Sequence, residues 1–267
     1  MPRDESSPMT APTSSPWLAR FAARLRALRD TFAMGICLLS WGVLGLVYTA
    51  LGALLYPVLP RPTGARFGRG AIRHVFRFQL WLLRALGLMR ADLSALRALQ
   101  GERGLIIAPN HPSLLDAVLV VAEVPDVVCI MKAAVQDNLF LGGGARLAGY
   151  IRNDSNANMV RRAVDELKTG SHVLLFPEGT RTEHAPIGEF KGALGLIARR
   201  SGAPVQTVFI EADSPYLGKG WPLFRKPPFP LVYRVRLGRR YTPDAHDKAF
   251  MHTLEDYFRA ELRPCSP

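Results

Sequence analysis

The sequence predicts an α/β fold, a central mixed and mostly parallel sheet flanked by helices, with an N-terminal membrane-associated helical segment. Short apolar runs rich in β-branched residues predict the strands, at 105–108, 127–131, 172–176, 205–210 and 231–237. Helical spacing of apolar residues recurs around and between them, near 67–88, 113–123, 157–169, 190–200 and 246–262. This alternation is typical of a sheet covered by helices on both faces. A long uncharged stretch upstream of all these runs predicts the membrane-associated segment.

Length and composition divide the chain into three parts. Residues 1–16 are rich in Ser, Pro and Thr, which predicts a disordered tail. Residues 17–60 are predicted to form an amphipathic helix followed by a membrane-embedded helical segment. Residues 61–267 are predicted to form one α/β domain, because a chain of 267 residues is long enough for one large domain with an appendage.

The segment 17–29 has apolar residues at helical spacing with arginines on its other faces. The apolar positions are Trp17, Phe21, Leu25 and Leu28. This pattern predicts a basic helix lying at a membrane surface. An ordinary surface helix packed on the domain is the alternative.

The 28 residues of segment 32–59 contain no charged side chain. A membrane-spanning helix needs about 20 apolar residues, so the segment is long enough to enter a bilayer. Arginines flank it on both sides, and the positive-inside rule therefore gives no direction. We expect a re-entrant hairpin that turns near 42–45, or a tilted helix that does not fully cross. A buried helix of a soluble protein is the alternative.

The predicted strands differ in how far they are expected to be buried. The runs 105–108 and 172–176 are almost continuously apolar, which is typical of strands covered on both faces. The run 231–237 alternates in its second half, and it is therefore predicted to form a half-exposed edge strand.

The balance of charges indicates anionic partners. Lys and Arg number 34 and Asp and Glu 22, giving a net charge of +12. Such an excess attracts lipid headgroups and phosphorylated substrates. No compact Lys/Arg block with interleaved aromatic residues is present, so nucleic acid is not an expected partner. The 3 cysteines are far apart in the chain and predict neither a disulfide framework nor a zinc site. No metal and no cofactor are expected.

The run Asn-His-Pro-Ser-Leu-Leu-Asp at 110–116 offers a base and a carboxylate. It follows a predicted strand and enters a helix near Pro112, a favoured first-turn residue. Within one regular helix, His111 and Asp116 would point apart. His111 can meet Asp116 only from the non-helical entry turn, where the carboxylate would hold one ring nitrogen and leave the other to act as base. The alternative is a histidine that only caps the helix.

The run Phe-Pro-Glu-Gly-Thr-Arg-Thr at 176–182 also follows a predicted buried strand. Gly179 permits a tight turn, and Arg181 would present a planar fork to a phosphate. Glu178 is expected to bind a substrate hydroxyl or to hold Arg181. In open α/β sheets ligands bind at the carboxyl ends of the strands, so both runs are predicted to share one site. A serine hydrolase using Ser113 is disfavoured, because no Gly-x-Ser-x-Gly elbow is present.

Together these two runs resemble the glycerolipid acyltransferases, of the lysophosphatidic acid acyltransferase (1-acylglycerol-3-phosphate O-acyltransferase) type. The intervening Gly-Tyr-Ile-Arg at 149–152 and the strand Pro-Val-Gln-Thr-Val at 204–208 are similar to two further motifs of that family. The resemblance covers roughly residues 80–215 and implies that residues 61–267 form an acyltransferase domain.

The resemblance implies direct acyl transfer. His111, held by Asp116, would deprotonate a glycerol-type hydroxyl, which attacks the thioester of an acyl-carrier-protein or acyl-CoA donor without a covalent acyl-enzyme. Backbone N–H groups near Gly179 or the helix start would stabilise the oxyanion. The substrate-binding residues would be Asn110, Arg152, Glu178, Gly179, Thr180 and Arg181. The enzyme would act at membrane lipids, in a bacterial inner membrane with its catalytic domain facing the cytoplasm.

The chain departs from the family pattern in two motifs, and the departures bear on the acceptor. The arginine of the second motif, Arg152, immediately follows the isoleucine, and in the fourth Thr207 replaces a proline beside the polar Gln206. Lysophosphatidate is the family's default acceptor. Another lyso-lipid, an amino-acid lipid or a glycolipid is the alternative, and a non-catalytic lipid-binding module is a further one.

A loop rich in proline, glycine, aromatic and cationic residues lies between 213 and 230. Trp221, Phe224 and Phe229 are candidates for membrane or acyl-chain contact. Lys219, Arg225 and Lys226 would then meet headgroups or an acidic carrier protein. A proline-rich connection packed on the core is the alternative.

Overall fold

The computed structural model describes residues 16–138, 142–153, 156–183, 186–244, 247 and 249–262. The predicted disordered tail, apart from its last residue, therefore lies outside the described residues. The seven strands of the described part are β1 Met89–Asp92, β2 Ile106–Pro109, β3 Val127–Lys132, β4 Ile151–Asn153, β5 His172–Leu174, β6 Val205–Ala212 and β7 Leu231–Tyr241.

The helices surround this sheet and complete the predicted fold class. Their bounds are α1 Pro16–Leu55, α2 Arg61–Ala85, α3 Leu115–Glu123, α4 Ala133–Gln136, α5 Gly142–Leu147, α6 Asn156–Lys168, α7 Ala193–Ser201 and α8 Phe250–Glu261, with a short 3-10 helix at Ser94–Leu99. The strand order is β1-β7-β6-β2-β5-β3-β4. Every neighbouring pair is parallel except β6 with β7. The prediction of a mostly parallel α/β sheet is confirmed.

The predicted edge strand is not an edge strand. β7 lies between β1 and β6, and the two edges are β1 and β4, which have only 4 and 3 residues and were not predicted. β1 pairs only with Leu231–Arg234, so the rest of β7 has a neighbour on one side alone. The alternation in the sequence instead matches a difference between the two faces of β7, on which Tyr233 and Val235 are buried and Arg234 is exposed.

Helix α1 is continuous over 40 residues, and the predicted hairpin at 42–45 is wrong. Gly42 and Gly45 lie inside the helix, where a glycine costs only about 1 kcal/mol relative to alanine. The stretch Arg20–Leu55 is long and apolar enough to cross a membrane, judged by length and composition.

One side of α1 packs closely on the domain. Met34 and Cys37 are buried, and Gln79 of α2 donates a hydrogen bond to Ser40 at 2.9 Å. Tyr48 donates to the carbonyl of Gly68 at 2.8 Å. A Cβ atom on Gly144 would lie 1.9 Å from the Tyr48 ring, so glycine at this position of α5 is required for the helices to approach.

The other side of α1 is an apolar surface without cover. Its exposed side chains recur at helical spacing: Ile36, Leu39, Val43, Leu46, Val47, Leu51 and Leu54. Phe78 and Trp81 of the neighbouring α2 are exposed as well. A surface of this size on a folded domain indicates an interaction with an apolar partner.

Only the first part of helix α1 lies at the carboxyl edge of the parallel strands. Near its start the helix contacts the connection that follows β6. Connections that leave the carboxyl ends of parallel strands lie at one edge of the sheet. β2 and β5 end at the same edge as β6, so the first part of α1 lies at the edge that carries the two sequence motifs. Further along, the helix packs against α5, and Tyr48 contacts Gly68 of α2. The neighbouring Arg69 binds Asp126 and Ser171 just before β3 and β5, at the opposite edge.

Candidate active site

The turn between β2 and α3 holds His111 against Asp116. β2 ends at Pro109 and α3 begins at Leu115, so His111 lies on the non-helical entry turn. Its Nδ1 lies 2.9 Å from Asp116 Oδ2. The same oxygen accepts the backbone N–H of Ser113 at 2.7 Å. A carboxylate partner makes Nδ1 the protonated nitrogen and leaves the Nε2 lone pair free to accept a proton.

The imidazole is fixed by stacking as well as by hydrogen bonding. The ring of His111 lies on the ring of Phe176, with centroids 3.7 Å apart and an interplanar angle of 15°. The side chain of His111 keeps 14% of its surface exposed, whereas that of Asp116 is fully buried. The histidine is therefore reachable from outside and its carboxylate is not.

Burial sets the electrostatics of this pair. It raises the pKa of Asp116 from 3.8 to about 6, although the hydrogen bonds from His111 and Ser113 lower it. The Oδ1 atom of Asp116 is buried without a hydrogen-bond partner in the described residues. A buried negative charge of this kind is stabilised by a positively charged imidazole at hydrogen-bond distance.

Glu178 joins the two motifs. Its Oε1 accepts hydrogen bonds from the backbone N–H of His111 at 3.0 Å and from the Thr182 hydroxyl at 2.9 Å. Its Oε2 accepts the N–H of Gly188 at 2.7 Å. The side chain is buried, and both oxygens are occupied by the protein rather than by Arg181. Its observed contacts hold the turn that carries His111 in place, and they are not the contacts of a substrate-binding group.

Arg181 lies against a turn that follows β6. Its Nη1 donates to the carbonyl oxygens of Leu217 at 2.9 Å and Gly218 at 2.7 Å. Within the described residues its Nε and Nη2 have no hydrogen-bond partner. Leu217 has a φ of +57° and also accepts the N–H of Leu114 at 3.1 Å. Arg181 thus fixes this turn with one nitrogen and keeps two for another partner.

Gly179 has the left-handed backbone that the sequence predicted, with a φ of +67°. Its N–H donates to the carbonyl of Phe176 at 3.0 Å, so this group is used by the turn itself. The expected oxyanion donor at Gly179 is therefore occupied. Thr180 follows in the same turn and is half-buried.

Ser113 is surrounded by protein. It is 1% exposed, and its hydroxyl donates to the Tyr216 carbonyl at 2.9 Å. The same oxygen accepts the N–H of Leu115 at 3.2 Å and lies 3.3 Å from the Tyr233 hydroxyl. A hydroxyl so engaged is not placed to attack a substrate, which argues against the serine hydrolase reading.

The side chains of Asn110 and Arg152 bond to groups other than the imidazole. The Asn110 amide makes two hydrogen bonds with the backbone of Ile210 in β6, at 2.9 and 2.7 Å, so it holds strands together. Arg152 lies on β4, three strands from β2, and pairs with Asp137 at 2.8 Å.

The unusual fourth motif serves the sheet. A bulge separates Gln206 from Val208 in the pairing of β6 with β7. The Thr207 hydroxyl donates to the Arg239 carbonyl at 2.7 Å, and the Gln206 amide donates to the Gly238 carbonyl at 2.8 Å. Both polar side chains satisfy backbone groups freed by the bulge.

A cleft of about 450 Å³ opens beside the histidine turn. It is lined by Pro112, Thr182, Glu183, Ala212, Asp213, Ser214, Pro215, Gly218, Lys219 and Trp221. Its size is that of a small-molecule site. Much of its wall comes from the connection after β6, more than 100 residues beyond His111, which sequence reasoning did not assign to the site. No sequence pattern near the histidine motif predicts that these residues line the cleft.

Comparisons with known proteins agree with the motifs. The family model described as Acyltransferase matches residues 90–211. The chain is 24% identical over 181 residues to the 1-acyl-sn-glycerol-3-phosphate acyltransferase of Pseudomonas aeruginosa, covering 66% of this chain and 69% of that protein. It is 32% identical over 121 residues to the lyso-ornithine lipid O-acyltransferase of the same organism, covering 41% and 46%.

The fold has a counterpart among solved structures. The 1-acyl-sn-glycerophosphate (LPA) acyltransferase PlsC from Thermotoga maritima superimposes with a TM-score of 0.64 at 17% identity. The match covers 91% of this chain and 99% of that one. It extends beyond the residues that the family model matches.

Proposed function

The chain carries an acyltransferase domain over residues 90–211, and from that premise we propose that it transfers a fatty acyl group from a thioester donor to the hydroxyl of a lyso-lipid. It is an O-acyltransferase of the glycerolipid family. The observation that carries the proposed mechanism is the 2.9 Å contact between His111 and Asp116, next to Pro112, which lines a cleft.

In the proposed reaction His111 acts as general base. Its Nε2 takes the proton of the acceptor hydroxyl while the oxygen bonds to the thioester carbonyl carbon. The carbon–sulfur bond then breaks, and the imidazolium returns the proton to the departing thiolate. Asp116 stabilises the imidazolium and holds the ring. General-base help of this kind contributes about 10²- to 10⁴-fold, and positioning of the two substrates supplies much of the remainder.

The occupied Ser113 hydroxyl supports transfer without an acyl-enzyme. Asn110 and Glu178 have contacts that suit positioning residues, since they fix the strand and the turn that carry His111. Asn110 is therefore proposed to position the base rather than to bind substrate. The donor is an acyl-carrier-protein or acyl-CoA thioester, and the reaction needs no cofactor.

The exposed apolar face of α1 is proposed to sit in the membrane. The first part of this helix contacts the connection that lines the cleft, so the acceptor can reach the cleft without leaving the lipid phase. Arg20, Arg24, Arg26 and Arg29 of the same helix would meet anionic headgroups. Because α1 packs along the domain, in-plane insertion is favoured over a full crossing. We place the enzyme at a bacterial inner membrane, with the catalytic domain in the cytoplasm.

Lysophosphatidate is the proposed acceptor and phosphatidate the product. The two uncommitted guanidinium nitrogens of Arg181 support binding of its phosphate. A different lyso-lipid, such as an amino-acid lipid, is the second candidate. It is favoured by the similarity to a lyso-ornithine lipid acyltransferase. It is also favoured by the pairing of Arg152 with Asp137, because this ion pair engages the arginine that the family pattern assigns to acceptor binding.

The acceptor is tested by offering the purified enzyme a panel of lyso-lipids in vesicles, each with labelled acyl-CoA and acyl-carrier-protein donors. Mass spectrometry of the lipid products reports the preference. We expect phosphatidate as the main product. Faster acylation of a lyso-ornithine lipid would replace the first acceptor with the second, and absence of any acylated lipid would reject the function.

Replacing Arg181 by alanine is expected to raise the acceptor KM by about ten- to a hundredfold, since a hydrogen bond to a charged group is worth about 1.5–3 kcal/mol. The matched variant Arg181→Lys keeps the charge and loses the planar fork, so its acceptor KM should lie between those of the wild type and of Arg181→Ala. Initial rates against acceptor concentration, at saturating donor, measure the effect. An unchanged acceptor KM in both variants would move the phosphate site elsewhere.

The rate is expected to fall as the pH is lowered through about 6, the value to which burial raises the pKa of Asp116. Protonation of this carboxyl removes the charge that holds and supports the imidazole, and a dyad that has taken up the proton cannot accept another from the hydroxyl. The measurement is kcat/KM across the acid range, with circular dichroism as control for folding. A rate that stays constant well below this pH in folded protein would contradict the dyad.

A further inference from the structure

The loop 221–226 between β6 and β7 presents two apolar side chains to the outside. Leu223 is 50% exposed and Phe224 81%, the highest value among the large apolar side chains of the described residues. An isolated exposed leucine needs no explanation, but an adjacent leucine and phenylalanine at a loop tip do. The catalytic mechanism makes no use of either.

The base of this loop is well ordered by its own contacts. The Trp221 indole N–H donates to the Arg225 carbonyl at 3.0 Å, and the Arg225 guanidinium lies 4.8 Å from the Trp221 ring centroid. Trp221 also donates its backbone N–H to Gly218 at 3.1 Å. The loop therefore holds its tip outward in a fixed orientation.

Lys226 ties the loop to helix α1. Its Nζ donates to the Ala27 carbonyl at 3.0 Å and lies 3.3 Å from the Thr31 hydroxyl. The neighbouring side chains of the helix, Leu28 and Phe32, are 69% and 72% exposed. The loop tip is thus continuous with the apolar face of α1, across about 195 residues of sequence.

The charge and the position of the loop indicate that its binding partner is a lipid surface. Apolar residues flanked by cations, here Arg225 and Lys226, match the boundary between acyl chains and anionic headgroups. A polar protein partner would leave Phe224 in water. Trp221, at the base of the loop, lines the cleft beside the histidine turn.

We infer that the loop 221–226 is a second membrane contact, which inserts Leu223 and Phe224 into the leaflet that holds α1 and opens the catalytic cleft towards the lipid. This inference rests on the proposed attachment through α1. The loop, whose base lines the cleft, and the helix that Lys226 contacts then meet the membrane side by side. An acceptor can enter from the leaflet with its acyl chain still in lipid.

Attachment of an environment-sensitive fluorophore tests the insertion directly. The label is placed at Phe224→Cys, at Leu39→Cys on α1, and at Lys168→Cys on α6 as a matched exposed control. All three carry Cys265→Ser, and the native Cys37 and Cys129 are buried. Vesicles contain phosphatidylcholine with phosphatidylglycerol, and brominated lipids serve as quenchers of the label.

We expect blue-shifted, quenched emission at positions 224 and 39 and unchanged emission at 168. Quenching at 39 but not at 224 would overturn the second contact while leaving the attachment through α1 intact. Quenching at neither position would overturn both. Equal quenching at 168 would overturn the inference as well, since the contact would then be unspecific.

A kinetic comparison separates membrane contact from a structural effect. The double variant Leu223→Ser with Phe224→Ser is expected to weaken vesicle binding by on the order of ten- to a hundredfold, from the apolar surface lost. Turnover of a short-chain, water-soluble lyso-acceptor should remain at the wild-type rate. An equal loss on soluble and vesicle acceptors would show that the loop supports the site rather than the membrane contact.

Discussion

Replacement of His111 by alanine is expected to lower kcat by at least about 10²- to 10⁴-fold, because the variant has no group to take the acceptor proton. Binding to vesicles should not change, since the exposed face of α1 is untouched. The measurement is product formation from a labelled thioester at saturating donor and acceptor.

A second variant separates the loss of the base from the loss of a structural contact. Alanine leaves the buried Asp116 without the hydrogen bond that His111 provides, which is costly to the fold. Asparagine at 111 can place an amide N–H near the position of Nδ1 and keep that bond, but it is no base. Both variants should be equally inactive, and the asparagine variant should melt close to the wild-type temperature. Turnover near the wild-type rate in either would refute the role of His111.

Replacement of Asp116 by asparagine is expected to reduce kcat by about 10²- to 10⁴-fold as well. The amide can still accept the Ser113 N–H, so the turn should survive. A neutral amide gives no charge to support the imidazolium that forms when His111 takes up the acceptor proton. Comparing kcat of this variant with kcat of His111→Asn and of the double variant tests whether the two residues act as a pair. Losses that multiply in the double variant would contradict a shared role.

The same substitution should change how stability depends on pH. The folded-state pKa of Asp116 is raised from 3.8 to about 6, so the buried charge destabilises the fold above that range and not below it. Relative to the asparagine variant, the wild type should lose about 3 kcal/mol of unfolding free energy as the pH rises through this window. Melting temperatures of both proteins, compared at acid and neutral pH, measure it. A difference that is independent of pH would contradict the burial of the carboxylate charge.

Local sequence patterns were sufficient for the parts of the fold that depend on neighbours in the chain. The order of strands and helices follows from apolar spacing, and the meeting of His111 with Asp116 requires only a strand, a turn and a helix start. Gly179 likewise predicts a tight turn, because few other residues adopt the left-handed backbone conformation.

Contacts between distant segments were not predictable from one sequence. Glu178 was read as a partner of substrate or of Arg181, yet it binds the His111 backbone, which only the pairing of β2 with β5 makes possible. The turn at Leu217 that Arg181 holds comes from another connection altogether. The edge strands β1 and β4 are too short to leave a pattern.

The hairpin predicted in the uncharged segment failed for a similar reason. Glycines near 42–45 suggested a turn, but helix α1 is held straight by its contacts with α2 and α5, which the local sequence does not show. The glycine signal that mattered lies in α5, where Gly144 admits the Tyr48 ring. Close helix approach explains the glycines at 52, 143 and 144, whereas a Cβ atom at Gly42 would meet nothing within 4 Å.

The central claim is that an imidazole held by a buried carboxylate deprotonates the lipid hydroxyl, which then takes the acyl group directly from the thioester. Rapid-quench single turnover with a labelled donor, reading free thiol, lipid product and intact protein mass together, tests it most directly. We predict that thiol release and acylated lipid rise at one rate, that the protein stays unlabelled, and that His111→Asn abolishes both. Label retained on the protein before product forms, or thiol release that persists without His111, would contradict the claim.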